Sequence, residues 1–253
     1  MLFKKTNRQT LKNARRGAAL LILAVLILVI GMAALIARVQ ERRNATQRAF
    51  ITQTDDNLQK ISDALKVYAS RARRLPCPAN GAIAESNASA GKEVTATGSA
   101  SGGWCNATAK TNGVVPWRDL GLNRDDALDK WGRWISYKIY DGAGSYAEPD
   151  SLIGADTGNG LQLDGDTENL HAFVLVSHGP DGFNGFTPSG TPVPDPGQGI
   201  SAFEADNNTV TGPFHRTGDT NDFDDRVLGG QVSDIALSLQ APDDILSLDD
   251  HPE

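Results

Sequence analysis

The residue types best suited to chemistry in this sequence are carboxylates in its second half. Residues 144–253 contain 20 acidic residues and only two basic ones. Calcium binds several oxygen atoms, which come mostly from carboxylates and carbonyls on adaptable loops. If two acidic loops meet at one end of a sheet, they would offer a calcium site, for which the candidate ligands are Asp181, Asp222, Asp224 and Asp225. A solvated acidic surface without a metal is the default interpretation of this composition.

A second group of reactive side chains consists of Ser177, His178 and Asp181, the residue types of a hydrolase triad. A serine nucleophile needs a base and an orienting acid in fixed positions. Neighbouring residues that leave a strand point in different directions, and the sequence has no Gly-x-Ser-x-Gly motif. The four histidines are scattered and include no pair at zinc-ligand spacing. The sequence therefore predicts a protein that is not an enzyme.

A long apolar segment lies near the N-terminus. Residues 18–37 are all hydrophobic except Gly31, and at ~1.5 Å per residue they would form a helix about as long as a bilayer core is thick. The preceding residues 1–16 contain six basic residues and no acid, so the N-terminus is expected in the cytoplasm. Arginines follow the segment directly, which argues against a cleaved secretory signal.

The remainder of the chain is acidic. Residues 75–253 contain 27 acidic and 9 basic residues, and hence a formal charge of -18. Nucleic-acid binding depends on neutralising phosphates with Lys and Arg, so this charge argues against a nucleic-acid partner. Together with the apolar segment, it also excludes a soluble cytosolic enzyme.

The apolar segment is predicted to continue into an amphipathic helix. Neither Pro nor Gly occurs between Met32 and Leu75, and the pattern predicts one helix over 18–74 that ends at the following prolines. Its second half is expected to pack on a globular head through a stripe of residues spaced three or four apart, which comprises Leu58, Ile61, Leu65, Tyr68 and Ala72.

Two strands are predicted in the head, at 134–140 and 170–177, because these runs are rich in aromatic and β-branched residues. Residues 232–239 are predicted to form a strand or a short helix. A loop at 182–201, rich in Gly and Pro, is expected to be exposed and is where a binding surface would lie. The acidic tail at 242–253 is expected to fray.

The only two cysteines, Cys77 and Cys105, bracket a segment that is poor in large apolar residues. In a domain outside the cytoplasm, this arrangement predicts one disulfide, which would stabilise a loop of this length by ~3 to 4 kcal/mol. Two buried free thiols are the alternative.

The junction before the apolar segment resembles the class III leader of type IV pilins and type II secretion pseudopilins. In those proteins a prepilin peptidase cleaves after a glycine, and the new N-terminus is methylated, which implies cleavage here between Gly17 and Ala18. The usual first mature residue is an aromatic residue or Met, and the usual fifth is Glu; here they are Ala18 and Ile22. The resemblance is therefore to minor, tip-type members that lack this glutamate. An ordinary uncleaved anchor is the alternative.

Four short segments of the head also resemble pilin-like proteins, and they occur in the same order. They are Leu-Pro-Cys-Pro at 75–78, Val-Pro-Trp-x-x-Leu-Gly-Leu at 115–122, Asp-x-Trp-Gly at 129–132 and Ser-x-Gly-Pro-Asp-Gly at 177–182. Three tryptophans are expected to fill the core, namely Trp117, Trp131 and Trp134. The resemblance implies an α+β fold in which a long N-terminal helix packs on a small antiparallel sheet. The implied parts are a leader, a helix, a head and an acidic tail, at 1–17, 18–74, 75–241 and 242–253.

The resemblance implies a structural subunit of a type IV filament or a type II secretion system. Its expected partners are a prepilin peptidase, the inner membrane and other pilins or pseudopilins, which it would contact through the N-terminal helix. The head would lie in the periplasm, or outside the cell in an assembled filament. Major pseudopilins bind calcium in a loop of similar position. The alternative function is an uncleaved, single-pass surface protein that binds a partner through the loop at 182–201.

Overall fold

The computed structural model has an α+β fold, with a long N-terminal helix and a five-stranded antiparallel sheet. Internal contacts divide the chain into two units, residues 1–49 and 50–253. Side chains are described from residue 23 to residue 236. The structure describes residues 3–96, 103–142, 145–152, 158–194, 201–217 and 223–240.

The first helix, α1, comprises Phe3–Ala72 and therefore begins earlier than the helix predicted at 18–74. It ends two residues before the predicted end. Arg73 adopts a left-handed conformation (φ 56°), and its N–H donates to the carbonyl of Ala69 over 2.8 Å. This contact satisfies a free carbonyl of the last turn. The helix is therefore capped before the prolines are reached.

The amphipathic part of α1 contributes one face to the core of the head. Leu58, Ile61 and Leu65 are almost fully buried, as the spacing predicts, and the stripe continues through Ala69. Tyr68 is half-buried, and Ala72, although predicted to belong to the stripe, is exposed. At about 100° per residue, Tyr68 falls just outside the arc of the buried positions, whereas Ala72 falls within that arc but is the last residue of α1. Each buried Leu or Ile contributes about 2 kcal/mol.

The sheet is a meander in which each strand pairs antiparallel with the next one in sequence. The two predicted strands lie next to each other as β3 and β4, with Ser136 opposite Val176 and Ile139 opposite Phe173. Both are buried throughout because both faces of the sheet are covered. The strands are β1 Ala79–Asn80, β2 Gly113–Val114, β3 Ser136–Ile139, β4 His171–Ser177 and β5 Arg226–Gln231.

Alternate residues of β4 enter two separate cores. Phe173 and Leu175 lie in the core that contains α1. Val174 and Val176 pack on the opposite face with Phe214 and its neighbours. The sheet therefore separates the helix from the second core, to which Leu161 and Leu163 also belong.

Strand β5 was not predicted from the sequence, because its centre is a pair of glycines. A Cβ atom at Gly229 would lie 2.1 Å from the ring of His171, and one at Gly230 would lie 2.2 Å from the ring of Phe173. The side chains of β4 thus cover the backbone of β5 and require glycine there. The shorter helices are α2 Ala107–Thr111, α3 Ala202–Asn207, α4 Val232–Gln240 and a 3-10 helix at Arg124–Ala127.

Residues 232–239, for which a strand or a short helix was predicted, form a helix, since they lie within α4.

The predicted disulfide is present between Cys77 and Cys105, both of which are buried. Its loop is held further by Glu93, which accepts hydrogen bonds from the backbone N–H of Cys77 over 3.0 Å and from the guanidinium of Arg74 over 2.7 and 2.9 Å. The described part of this segment is therefore tied to the end of α1.

The Asp-x-Trp-Gly segment is a turn organised by its aspartate. One oxygen of Asp129 accepts from the backbone N–H groups of Trp131 and Arg133 over 3.0 and 2.9 Å, and the other accepts from Ser177 over 3.1 Å. The turn thus attaches the start of β3 to the end of β4. Of the three tryptophans, Trp134 is buried as expected, and Trp117, which stacks on it, is half-buried like Trp131.

Candidate functional site

The first functional feature is the apolar part of α1. From Leu23 to Ile36 every large hydrophobic side chain is exposed, by 52% to 66%. The helix is long and apolar enough to cross a membrane. A continuous apolar surface of this kind is not stable in water and indicates a lipid or helix partner. Gly17 and Ala18, the predicted processing residues, lie within α1, outside the part whose side chains are described.

The second feature is a carboxylate cluster at the end of the sheet, formed by Asp181, Glu204 and Asp224. One ligand oxygen from each residue lies within 4.8 Å of the others. Asp181 follows β4 in a tight turn, Glu204 lies in the first turn of α3, and Asp224 precedes β5. Thus three loops or element ends that are distant in sequence bring the carboxylates together.

Hydrogen bonds within the cluster fix its geometry. Glu204 accepts from the backbone N–H of Asp224 over 3.0 Å and from that of Ser201 over 3.2 Å, as the capping box of α3 requires. Asp224 accepts from the N–H of Asp181 over 3.3 Å. The other oxygen of Asp224 is buried and has no hydrogen-bond partner among the described residues. Asp224 thus has one carboxylate oxygen that no described group satisfies.

The electrostatics of the cluster follow from the crowding of like charges. Burial, together with the nearby charges of Asp181 and Glu204, raises the pKa of Asp224 to about 7. The positive charge of Arg133, whose guanidinium donates to the carbonyl of Gly179, opposes this rise of the pKa. A bound divalent cation would relieve this repulsion and hold the carboxylates ionised.

The predicted calcium ligands are only partly brought together. Asp181 and Asp224 belong to the cluster, whereas Asp222 lies outside the described residues. Asp225 is not one of the three cluster carboxylates, and it accepts a hydrogen bond from the side chain of Asn207 over 2.9 Å. Sequence reasoning missed Glu204, although the spacing of Ser201 and Glu204, a capping box, could have placed that glutamate at a helix start.

The residues present are suitable for calcium. Three carboxylates, one of which has an oxygen without a hydrogen-bond partner, give a hard, oxygen-rich site, and calcium accepts further oxygens from water or backbone carbonyls. Asp181, Glu204 and Asp224 would hold the ion. Its role there would be to connect the turn after β4 to the start of β5.

Ser177, His178 and Asp181 do not meet. Ser177 donates to Asp129, while Asp181 belongs to the carboxylate cluster. His178 instead lies 2.9 Å from the hydroxyl oxygen of Ser136, which is the nearest approach to a nucleophile and base in the described part of the chain.

Asp225 completes a Ser–His–Asp arrangement with Ser136 and His178, but its contact is long. The Nδ1 atom of His178 is 3.7 Å from the Asp225 carboxylate, beyond hydrogen-bond distance. The three residues are only 1% to 5% exposed, so the serine is closed to a substrate from solvent. Burial, with the charges of Lys138 and Arg133, lowers the pKa of His178 to about 3. The geometry is that of a buried polar network.

The described part of the loop at 182–201 packs partly on the head. The N–H of Glu85 donates to the carbonyl of Pro188 over 2.8 Å, and the N–H of Trp134 donates to the carbonyl of Phe186 over 2.8 Å. Gly190 approaches the backbone of Ala82 so closely that a Cβ atom there would lie 2.6 Å from its carbonyl oxygen. These contacts attach residues 186–190 to the 82–85 segment and to Trp134.

Comparison of the chain with protein families, curated proteins and solved structures gives no match.

Proposed function

We propose that this protein is a minor pilin-like or pseudopilin-like structural subunit that is processed after Gly17 and assembles through its N-terminal helix. The observation that carries the proposal is the two-part character of α1. Its side chains from Leu23 to Ile36 are apolar and exposed, whereas Leu58, Ile61 and Leu65 are buried in the head. One helix thus supplies both an apolar surface for lipid or other helices and an anchor for a folded head.

The mechanism of such a subunit is assembly. In the membrane the apolar half of α1 is surrounded by lipid chains, and in a filament the same surface contacts the helices of other subunits. Transfer between these environments has a small net cost because both are apolar. The basic leader favours a cytoplasmic N-terminus, which would place the head in the periplasm and the leader within reach of a peptidase on the cytoplasmic side.

The residue type at Ile22 is informative about where the subunit would lie within the assembly. A carboxylate at this point would pair with the N-terminal amine of a neighbouring subunit in an apolar medium, where an unpaired charge is costly. Isoleucine cannot do so, and this supports a place at the tip or in a priming complex rather than in the repeating shaft. Ile22→Glu is expected to increase incorporation into the shaft, measured by labelling along filaments. Unchanged incorporation and position would contradict the tip assignment.

Processing is tested by the intact mass of the membrane-extracted protein, expressed with and without a prepilin peptidase. The expected species begins at Ala18 and carries one added methyl group. Gly17→Val should prevent cleavage, and Gly31→Val is the matched control, because Gly31 has open space around it and should leave cleavage intact.

A different result favours the alternative function. If the chain retains residues 1–17 in the presence of an active peptidase, the protein is an uncleaved single-pass anchor whose head binds a partner. In that case the assembly proposal fails.

A further inference from the structure

We infer that Arg38, Arg42 and Arg43 form a binding face for the phosphate groups of anionic phospholipids, in the leaflet that surrounds the outer end of the apolar helix. The three arginines follow directly after the apolar residues 18–37. This inference rests on the membrane insertion of α1 that the proposed function includes. It adds a lipid class to that function and a reason for the arginines.

The three side chains share one side of α1. At about 100° per residue, Arg38, Arg42 and Arg43 fall within an arc of roughly 140°. Glu41 falls about 60° outside this arc. All three arginines are exposed, and none forms an ion pair with any residue that the structure describes. The face is therefore cationic and uncompensated.

An apolar contact accompanies the cations. Val39 is 47% exposed and lines a shallow groove together with Arg42 and Arg43. Val39 lies two residues after the end of the apolar segment at residue 37, and hence within about one helical turn of it. A phospholipid presents the same combination, with a phosphate beside the glycerol and the upper acyl chain.

The use of arginine rather than lysine favours phosphate binding over a purely water-exposed role for these side chains. The basic residues at 38–48 are all arginine, whereas those of the leader are half lysine. Arginine binds phosphate with a planar fork of donors, which lysine lacks. Each Lys or Arg beside an anionic membrane surface contributes about 1 kcal/mol of attraction.

The test is photo-crosslinking of the full chain in phosphatidylcholine vesicles that contain phosphatidylglycerol as a minor lipid. A benzophenone amino acid is placed at Val39, and the lipid class of each adduct is identified by mass spectrometry. Phosphatidylglycerol is expected to be captured at about threefold or more above its share of the vesicle, since each nearby basic residue favours an anionic surface by several-fold. The triple variant Arg38→Gln/Arg42→Gln/Arg43→Gln should capture it at its share.

A matched variant controls for total charge. Arg71→Gln/Arg73→Gln/Lys92→Gln removes the same charge from exposed positions at the far end of α1 and in the head, and it should keep the enrichment. Capture of phosphatidylglycerol at its vesicle share by the parent chain, or equal enrichment in the first triple variant, would overturn the inference. An adduct at Val39 with a second copy of the chain instead of lipid would also overturn it.

A second crosslinking position separates this inference from the proposed function. The same amino acid at Leu28, in the middle of the apolar segment, reports insertion by capturing any lipid. Lipid capture at Leu28 without enrichment at Val39 refutes the phosphate-binding face alone. No lipid capture at Leu28 refutes membrane insertion, and with it the proposed function.

Discussion

Arg74, just beyond the end of α1, forms a two-pronged ion pair with Glu93, 19 residues later in the disulfide loop. Both side chains are only about one-fifth exposed, at 18% and 20%. Burial opposes ionisation of Glu93, but the hydrogen bonds from Arg74 and Cys77 outweigh it and hold the pKa of the carboxyl below its ordinary value. The pair therefore connects the helix end to a segment with few apolar contacts of its own.

The Arg74–Glu93 pair is expected to stabilise the head more than an exposed pair does. Arg74→Met leaves a partly buried carboxylate without its partner and should lower the free energy of unfolding by about 2 kcal/mol. A double-mutant cycle with Glu93→Gln, followed by thermal unfolding in detergent, should give a coupling energy of about 1 kcal/mol or more. The exposed pair of Arg216 and Asp164 is the control, with an expected coupling below about 0.5 kcal/mol. Equal coupling in the two cycles would contradict this prediction.

Calcium is expected to stabilise the head through Asp181, Glu204 and Asp224. At a calcium concentration about 100 times the dissociation constant the gain is about 3 kcal/mol, which corresponds to an increase in Tm of several degrees. Asp224→Asn should remove most of this increase in a calcium titration followed by thermal unfolding. Glu168→Gln, which changes an exposed acid outside the cluster, should leave it unchanged. An equal calcium response in Asp224→Asn would show that the cluster is only a solvated acidic surface.

Lys138 is expected to make the protein more stable as the pH rises above 8. Its side chain is buried on β3, where it donates to the carbonyls of Thr111 and Asn208. Burial lowers the pKa of Lys138 from 10.5 to about 8. Between these values the unfolded chain binds more protons than the folded one, so the free energy of unfolding increases with pH.

The gain from Lys138 should reach up to about 3 kcal/mol near pH 10. Urea unfolding between pH 7 and pH 10 measures it as a difference between the parent and Lys138→Met, which should lack this increase. Lys92→Met removes an exposed lysine and should follow the parent. Parallel pH profiles for the parent and Lys138→Met would contradict the prediction.

Gly91 and Gly121 form a matched pair for testing how the disulfide loop packs. Both have left-handed backbones, with φ of 68° and 67°. A Cβ atom at Gly91 would lie 2.1 Å from Trp117, whereas Gly121 has open space around it. Gly121→Ala should cost about 1 kcal/mol from backbone strain alone, and Gly91→Ala at least about 2 kcal/mol more. Equal losses on thermal unfolding would mean that Trp117 does not cover this loop.

The features that the sequence predicted well depend on patterns over short distances. The helix, the two central strands and the disulfide follow from apolar runs, from residue spacing and from the presence of only two cysteines. Strand β5 was missed because Gly229 and Gly230 resemble a turn when taken alone. Glycine is required at both positions because two rings from β4 cover the backbone there, and no local sequence pattern shows that contact.

The candidate site also combines features that the sequence predicts with features that depend on tertiary contacts. The abundance of acids after residue 144 is a property of the sequence, and it led to Asp181 and Asp224. Only the tertiary structure brought Glu204 beside them and turned the adjacent Asp225 inward, towards Asn207 and His178. Alternation along a chain places neighbouring side chains on opposite sides, but which of them meets a distant partner depends on strand register and loop packing.

The sequence by itself determined that this protein has an apolar helix of membrane-spanning length, with a basic segment before it and an acidic region after it. Those properties follow from composition and from the helical repeat, which act within a few residues. The tertiary structure decided which carboxylates share a site and that Ser136, His178 and Asp225 converge inside the head. Those contacts join residues far apart in sequence, and they exist only because the sheet and its covering loops pack together.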